Sequence, residues 1–202
     1  MALRIKNQWF NEGRPKTPRE NASAIAFITW RVTQNMVKQM RDAKFDIDVG
    51  PQYFAFMREV LVFLCQVVDR MAFERMTGEQ RAEFTSALVV RVAEILEESE
   101  QEWLGEPPPG QERWRNQFID QYNALTEGYA EFGHGPEGPD FGFVRYLGSR
   151  LEEVLPEKDR HWVKDQMLAY EVPEALEMVK RGLDGVLSTE PRPKRRASMS
   201  GE

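Results

Sequence analysis

The longest strongly apolar segment of the chain lies between residues 51 and 75. Its apolar side chains recur at spacings of three and four, which places them on one face of an α-helix. Other apolar residues extend that face most of the way round and leave only a narrow polar strip for water, formed by Gln52, Glu59, Gln66 and Arg70. A helix that is apolar on nearly all sides is buried by several neighbours, so the pattern predicts a central helix over residues 51–75.

Two further helices are predicted by the same periodicity and by their start signals. Thr17 and Glu20, and later Thr77 and Gln80, have the spacing of a capping box, in which the first side chain caps the helix and the second reaches back. The first helix is expected to reach about residue 44 and the third about residue 103. Because the link after the central helix is short, the second and third helices are expected to form an antiparallel hairpin.

A fourth helix, over about residues 111–132, has an aromatic stripe at helical spacing. The stripe is formed by Trp114, Phe118, Tyr122, Leu125, Tyr129 and Phe132. Two interpretations stay open at this point. The stripe is either part of the core, or it faces a second subunit, because aromatic residues are enriched at the centres of interfaces. The interface hypothesis names Trp114, Phe118, Tyr122 and Tyr129.

The segment 133–143 is rich in glycine and proline and is predicted to be a turn between two helices, with Asp140 as the next N-cap. Short helical patterns follow up to about residue 187. The predicted fold is an all-α, single-domain bundle of six or seven helices around the central helix. Residues 1–16 are expected to be an irregular N-terminal arm, 17–187 the helical domain, and 188–202 a disordered basic tail.

Composition narrows the class of protein. Of the 202 residues, 41% are hydrophobic and 30% charged, which is ordinary for a globular protein, and the net charge of −6 argues against broad binding to nucleic acid. No stretch has the roughly 20 apolar residues of a membrane span, and the N-terminus lacks the apolar run of a secretory signal. A cytoplasmic protein is therefore expected. The single cysteine, Cys65, excludes an internal disulfide and is expected to be a small core residue.

Seven glutamates between Arg91 and Arg113 form an acidic cluster: Glu94, Glu97, Glu98, Glu100, Glu102, Glu106 and Glu112. They spread around a helix and into a proline-rich break, so a solvated face is expected rather than a metal site, which needs converging carboxylates. The chain has only two histidines and no phosphate-binding loop, zinc-protease motif or serine nucleophile motif. No metal and no cofactor are predicted.

Five ionisable residues are the candidates for binding a ligand. Arg58 and Asp69 lie on the flank of the central helix, where a buried charge needs a partner. His134, Glu137 and Asp140 lie in the 133–143 segment, which would place them at the mouth of a pocket if that segment is an ordered loop. A structural ion pair is the alternative explanation for Arg58 and Asp69, and a simple connection is the alternative for the loop.

Two functions are compatible with these patterns. The first is a non-enzymatic protein-interaction protein, self-associating as a homodimer, because the aromatic and methionine content exceeds what one small core is expected to cover. The second is a small-molecule-binding protein or enzyme with its site between the central helix and the 133–143 loop. A deep pocket lined by Asp69, Arg58 and His134 would favour the second function, and a flat exposed apolar patch would favour the first.

Overall fold

The computed structural model describes residues 15–188, and nearly all of that range is helical. The seven α-helices are α1 (Pro18–Asp42), α2 (Pro51–Phe73), α3 (Gly78–Leu104), α4 (Trp114–Ala130), α5 (Phe141–Val154), α6 (Glu157–Gln166) and α7 (Val172–Leu187). A π-helical turn, Met167–Glu171, joins α6 to α7, and two short strands, β1 (His134–Gly135) and β2 (Gly138–Pro139), lie between α4 and α5. The predicted all-α bundle is confirmed.

The helix starts follow local side-chain chemistry. Thr17 Oγ1 accepts from the Glu20 amide at 3.2 Å while Glu20 Oε2 accepts from the Thr17 amide at 2.8 Å, and Thr77 and Gln80 repeat this capping box at α3. Asp140 accepts from the Phe143 amide at 2.8 Å and caps α5. Each bond satisfies an amide that the first helical turn leaves without a partner, so all three predicted caps are present.

The central helix α2 packs against α1, α3, α4, α5 and α7. Fourteen of its residues, from Phe54 to Ala72, are buried. Antiparallel pairing with α3 is visible in its ion pairs, since Asp69 near the end of α2 bonds to Arg81 near the start of α3, and Arg58 bonds to Glu100. The predicted helical hairpin is thus confirmed.

The polar strip of α2 does not face water as predicted. Glu59 is 2% exposed and Gln66 is 4% exposed. Gln66 Nε2 donates to Thr126 Oγ1 on α4 at 2.9 Å, and Glu59 accepts from Gln121 on α4 and from Arg150 on α5, each at 2.9 Å. The strip is where α4 and α5 dock, and polar side chains on those helices replace the water.

The aromatic stripe of α4 contributes to the core. Phe118 and Tyr129 are fully buried, which corrects the hypothesis that these two side chains face a second subunit. The Tyr129 ring contacts Phe143 at a centroid distance of 4.8 Å and Phe63 at 6.2 Å. Trp114 is partly buried and donates its indole N–H to the Gly105 carbonyl at 2.9 Å. Phe118 and Tyr129 thus pack inside this chain, whereas Trp103 on α3 is 61% exposed.

Two predicted segments lie largely outside the described residues, namely the N-terminal arm 1–16 and the tail 188–202. Between residues 15 and 188, no helix combines the length and the apolar character needed to cross a bilayer.

Candidate ligand-binding cavity

A cavity of about 700 Å³ lies between the end of α2, the start of α3, the β1–β2 hairpin and α7. This volume falls within the range of small-molecule sites. The apolar part of its wall includes Met71, Phe73, Pro136, Pro173 and Leu176. The ionisable part includes Arg70, Glu74, Arg75, Arg81, His134, Glu137, Glu177 and Lys180.

The wall formed by residues 134–138 is held by its hairpin geometry. His134 pairs with Pro139 and Gly135 with Gly138 in an antiparallel register. Gly138 has φ 113°, a conformation that side chains with a Cβ rarely adopt. The glycine-rich sequence thus forms the predicted turn between α4 and α5, and it does so as a tight hairpin with two short strands.

Asp140 fastens this hairpin to α5 and does not line the cavity. Its Oδ2 accepts from the Gly133 amide at 2.7 Å and its Oδ1 from the Phe143 amide. These bonds, the Phe143 amide first, lower the pKa of the Asp140 carboxyl. Asp140 is a structural residue that positions its neighbour His134.

His134 forms part of the cavity wall beside Arg70. Its Nε2 atom is buried and has no hydrogen-bond partner among residues 15–188. Burial lowers the pKa of the imidazole, the positive charge of Arg70 lowers it further, and Glu74 acts weakly in the opposite direction. His134 is therefore neutral at pH 7.

Three of the seven charged residues on the wall have ion-pair partners among the described residues. Arg81 is bound to Asp69, which also accepts from Thr85 Oγ1 at 2.6 Å. Arg75 Nη1 lies 2.6 Å from Asp184 Oδ1, and Glu177 is paired with Arg181. Arg70, which is partly buried, has no ion pair or hydrogen bond from its side chain within residues 15–188.

The structure brings only two of the five candidate ligand residues, His134 and Glu137, to the cavity. Asp69 lies behind Arg81 and orients it. Arg58 lies elsewhere, where it pairs with the buried Glu100 at 2.7 Å and places its guanidinium over the Trp114 ring. The ion-pair explanation of Arg58 and Asp69 is the one that the contacts support.

Sequence reasoning missed Arg70 and Leu176 as cavity residues. The sequence pattern places Arg70 in the water-facing strip of the central helix. The periodicity of each helix indicates which side is apolar, but not that the end of α2 and the start of α7 stand apart with a hairpin between them.

The acidic cluster is not the fully solvated face that the sequence predicts. Glu97 and Glu100 are buried, with Glu97 bonded to Arg113 Nη2 at 2.9 Å. Arginines from outside the cluster thus neutralise its inner members. Among the described residues, no group of three or more histidine, cysteine or acidic side chains could hold a metal ion.

Comparison with known proteins gives no relative: no family model, no curated protein and no solved structure matches the chain.

Proposed function

We propose that this chain is a small-molecule-binding protein whose site is the cavity between α2, the β1–β2 hairpin and α7. The observation that carries the proposal is the cavity itself, with a volume of about 700 Å³ and a wall that combines apolar and ionisable side chains. Ligand sites usually have this character, because apolar walls supply affinity and a few polar groups fix orientation.

The hairpin supports the proposal because it gives the cavity a defined wall. The antiparallel strand pairing holds residues 134–138 in place, together with the two hydrogen bonds that Asp140 accepts from the Gly133 and Phe143 amides. Preorganised walls lower the entropic cost of binding. The burial of Phe118 and Tyr129 weakens the competing idea that the aromatic stripe is a subunit interface.

A screen for thermal stabilisation by small organic compounds tests the proposal. Ligands that bind only the folded state raise its melting temperature. We expect a subset of compounds to stabilise the wild-type protein and to lose this effect in Leu176→Trp, which fills the cavity. Trp162→Ala is the control, because Trp162 is exposed on α6 and does not line the cavity. This variant should be stabilised by the same compounds as wild type.

Two results would count against the site. One is a screen without any stabilising compound, and the other is equal stabilisation of wild type and Leu176→Trp. A far-UV circular dichroism spectrum shows whether Leu176→Trp folds. If it does not, Met71→Trp replaces it, since Met71 lines the same cavity.

A second candidate function, a protein-interaction protein that self-associates, is favoured by one surface. Trp162 and Tyr170 are 66% and 67% exposed and lie about two helical turns apart on α6 and the π-helical turn. Exposed aromatic side chains of this kind are typical of interface centres. Sedimentation equilibrium tests this function. We expect the wild-type protein to be a dimer and Trp162→Ala to be a monomer. A wild-type monomer at all micromolar concentrations would contradict self-association.

A further inference from the structure

The charged side chains around the cavity differ in burial, and Arg75 and Lys180 are among the exposed ones. The two partly buried ones, Arg70 and Arg81, are cationic. The three carboxylates on the wall, Glu74, Glu137 and Glu177, are all exposed. The inner, partly buried charged groups of the wall are thus both cations, whereas its carboxylates are exposed to water, which screens them.

Of the two inner cations, only Arg70 is uncompensated. Arg81 is neutralised by Asp69, which holds it through two hydrogen bonds. Arg70 has no side-chain bond to any described residue, although Glu74 lies one helical turn away. A charge removed from water without a counter-charge is costly, and protein structures normally supply the missing partner.

His134 adds a second unmet polar group next to Arg70. The Nε2 atom of its imidazole is buried without a partner. In a neutral imidazole one ring nitrogen donates a hydrogen bond and the other accepts one. The guanidinium of Arg70 and Nε2 of His134 both line this part of the wall, and neither has a partner among the described residues.

We propose that the cavity binds a small organic carboxylate, with its carboxylate paired to the Arg70 guanidinium and its apolar body against Met71 and Leu176. The inference rests on the proposed small-molecule function and specifies the chemical class of the ligand. A carboxylate fits because a guanidinium binds its two oxygens through two parallel hydrogen bonds. A phosphate dianion fits less well, since Arg70 is the one described wall cation that is both partly buried and unpaired, whereas Lys180 is exposed. Lys180, exposed at the rim, is placed to attract the anion.

Three probes with the same ring system and different charges test the ligand class. Indole-3-acetate is an anion, tryptophol is neutral and tryptamine is a cation at pH 7. Their affinities are measured by isothermal titration calorimetry on the full chain. We expect indole-3-acetate to bind at least about tenfold more tightly than tryptophol, the size of one charge-assisted hydrogen bond, and tryptamine to bind most weakly.

Arg70→Met tests the residue assignment, because methionine keeps an unbranched side chain and removes the charge. In this variant the acid should lose at least about tenfold in affinity while the alcohol binds as before. Arg91→Met is the matched control, since Arg91 pairs with Glu94 on α3 away from the cavity. It should leave all three affinities unchanged.

The outcomes separate the two proposals. Equal affinities for acid and alcohol, or an equal loss of both in Arg70→Met, would refute the carboxylate and leave the cavity as a ligand site. Failure of all three probes to bind at millimolar concentration would count against both. A rise of the His134 pKa on binding of the acid, followed by NMR, gives an independent readout, because a bound anion offsets the positive charge of Arg70.

Discussion

Arg150 on α5 holds the buried carboxylate of Glu59 on α2 through two hydrogen bonds. The Nη2–Oε1 distance is 2.9 Å and the Nε–Oε2 distance is 3.3 Å. The two residues are 91 positions apart in sequence. Because Glu59 is 2% exposed, its charge depends on Arg150 and Gln121 for the interactions that water would otherwise supply.

Replacing Arg150 with methionine should destabilise the protein by about 3 kcal/mol, because it leaves an unpaired carboxylate in the core. The double variant Glu59→Leu/Arg150→Met should recover most of that loss. Urea denaturation measures the free energies of unfolding. Arg181→Ala, which breaks an exposed pair with Glu177, should cost at most about 0.5 kcal/mol. An equally small effect of Arg150→Met would mean that Glu59 is not dependent on this pair.

Gly182 on α7 lies against Ile28 on α1. A Cβ atom at this position would lie 2.9 Å from Ile28 Cδ1 and 3.0 Å from Ile28 Cγ2. Because isoleucine is stiff at χ1, Gly182→Ala should push the helices apart and lower the free energy of unfolding by about 1–3 kcal/mol. The better helix propensity of alanine should offset about 1 kcal/mol of this loss.

The double variant Ile28→Ala/Gly182→Ala separates the clash from other effects. If the clash is the cause, adding Gly182→Ala to Ile28→Ala should no longer destabilise the protein in urea denaturation. Gly78→Ala provides a control, since an added Cβ there meets nothing within 4 Å. A loss of stability from Gly78→Ala as large as that from Gly182→Ala would be inconsistent with this explanation.

Cys65 should be chemically silent in the folded protein. It is fully buried, and burial raises the pKa of its thiol, so the reactive thiolate is scarce. We expect no reaction with Ellman's reagent under native conditions and one thiol per chain in concentrated urea, since the sequence has a single cysteine. Rapid reaction of the native protein would show that α2 is not the central helix.

His134 should titrate below 6.5, its ordinary value, because burial and Arg70 both disfavour the imidazolium. Between the lowered pKa and 6.5 the unfolded chain binds more protons than the folded protein. The contribution of His134 to stability is thus fully present above pH 6.5 and decreases as the pH falls through this window. NMR titration should show the midpoint below 6.5 in wild type and a higher midpoint in Arg70→Met. A wild-type midpoint above 6.5 would disagree with the described environment.

The parts of the fold that depend on neighbouring residues could be predicted from the sequence. Thr17, Thr77 and Asp140 each cap a helix by accepting a hydrogen bond from the residue three positions later. The spacing of the apolar residues in α2 likewise indicates that this helix is buried. Such signals are complete within one helical turn or one helix, so no knowledge of the tertiary structure is needed to interpret them.

Long-range pairing could not be predicted in the same way. Glu59 and Gln66 look like water-facing residues because their partners, Arg150 and Thr126, come from distant helices. The cavity has the same origin, since it forms where the end of α2, the hairpin and α7 fail to fill the space between them. His134 could be recognised as a candidate from its glycine-rich loop, whereas Arg70 could not.

The most direct test of the proposed site is a two-dimensional ¹H–¹⁵N NMR titration of the full chain with indole-3-acetate. Binding in the cavity should shift the amide signals of residues 70–75, 134–138 and 174–180, and should leave those around Trp162 unchanged. Shifts centred on Trp162 and Tyr170, with the cavity residues unaffected, would contradict the assignment and place the ligand on the exposed aromatic surface instead.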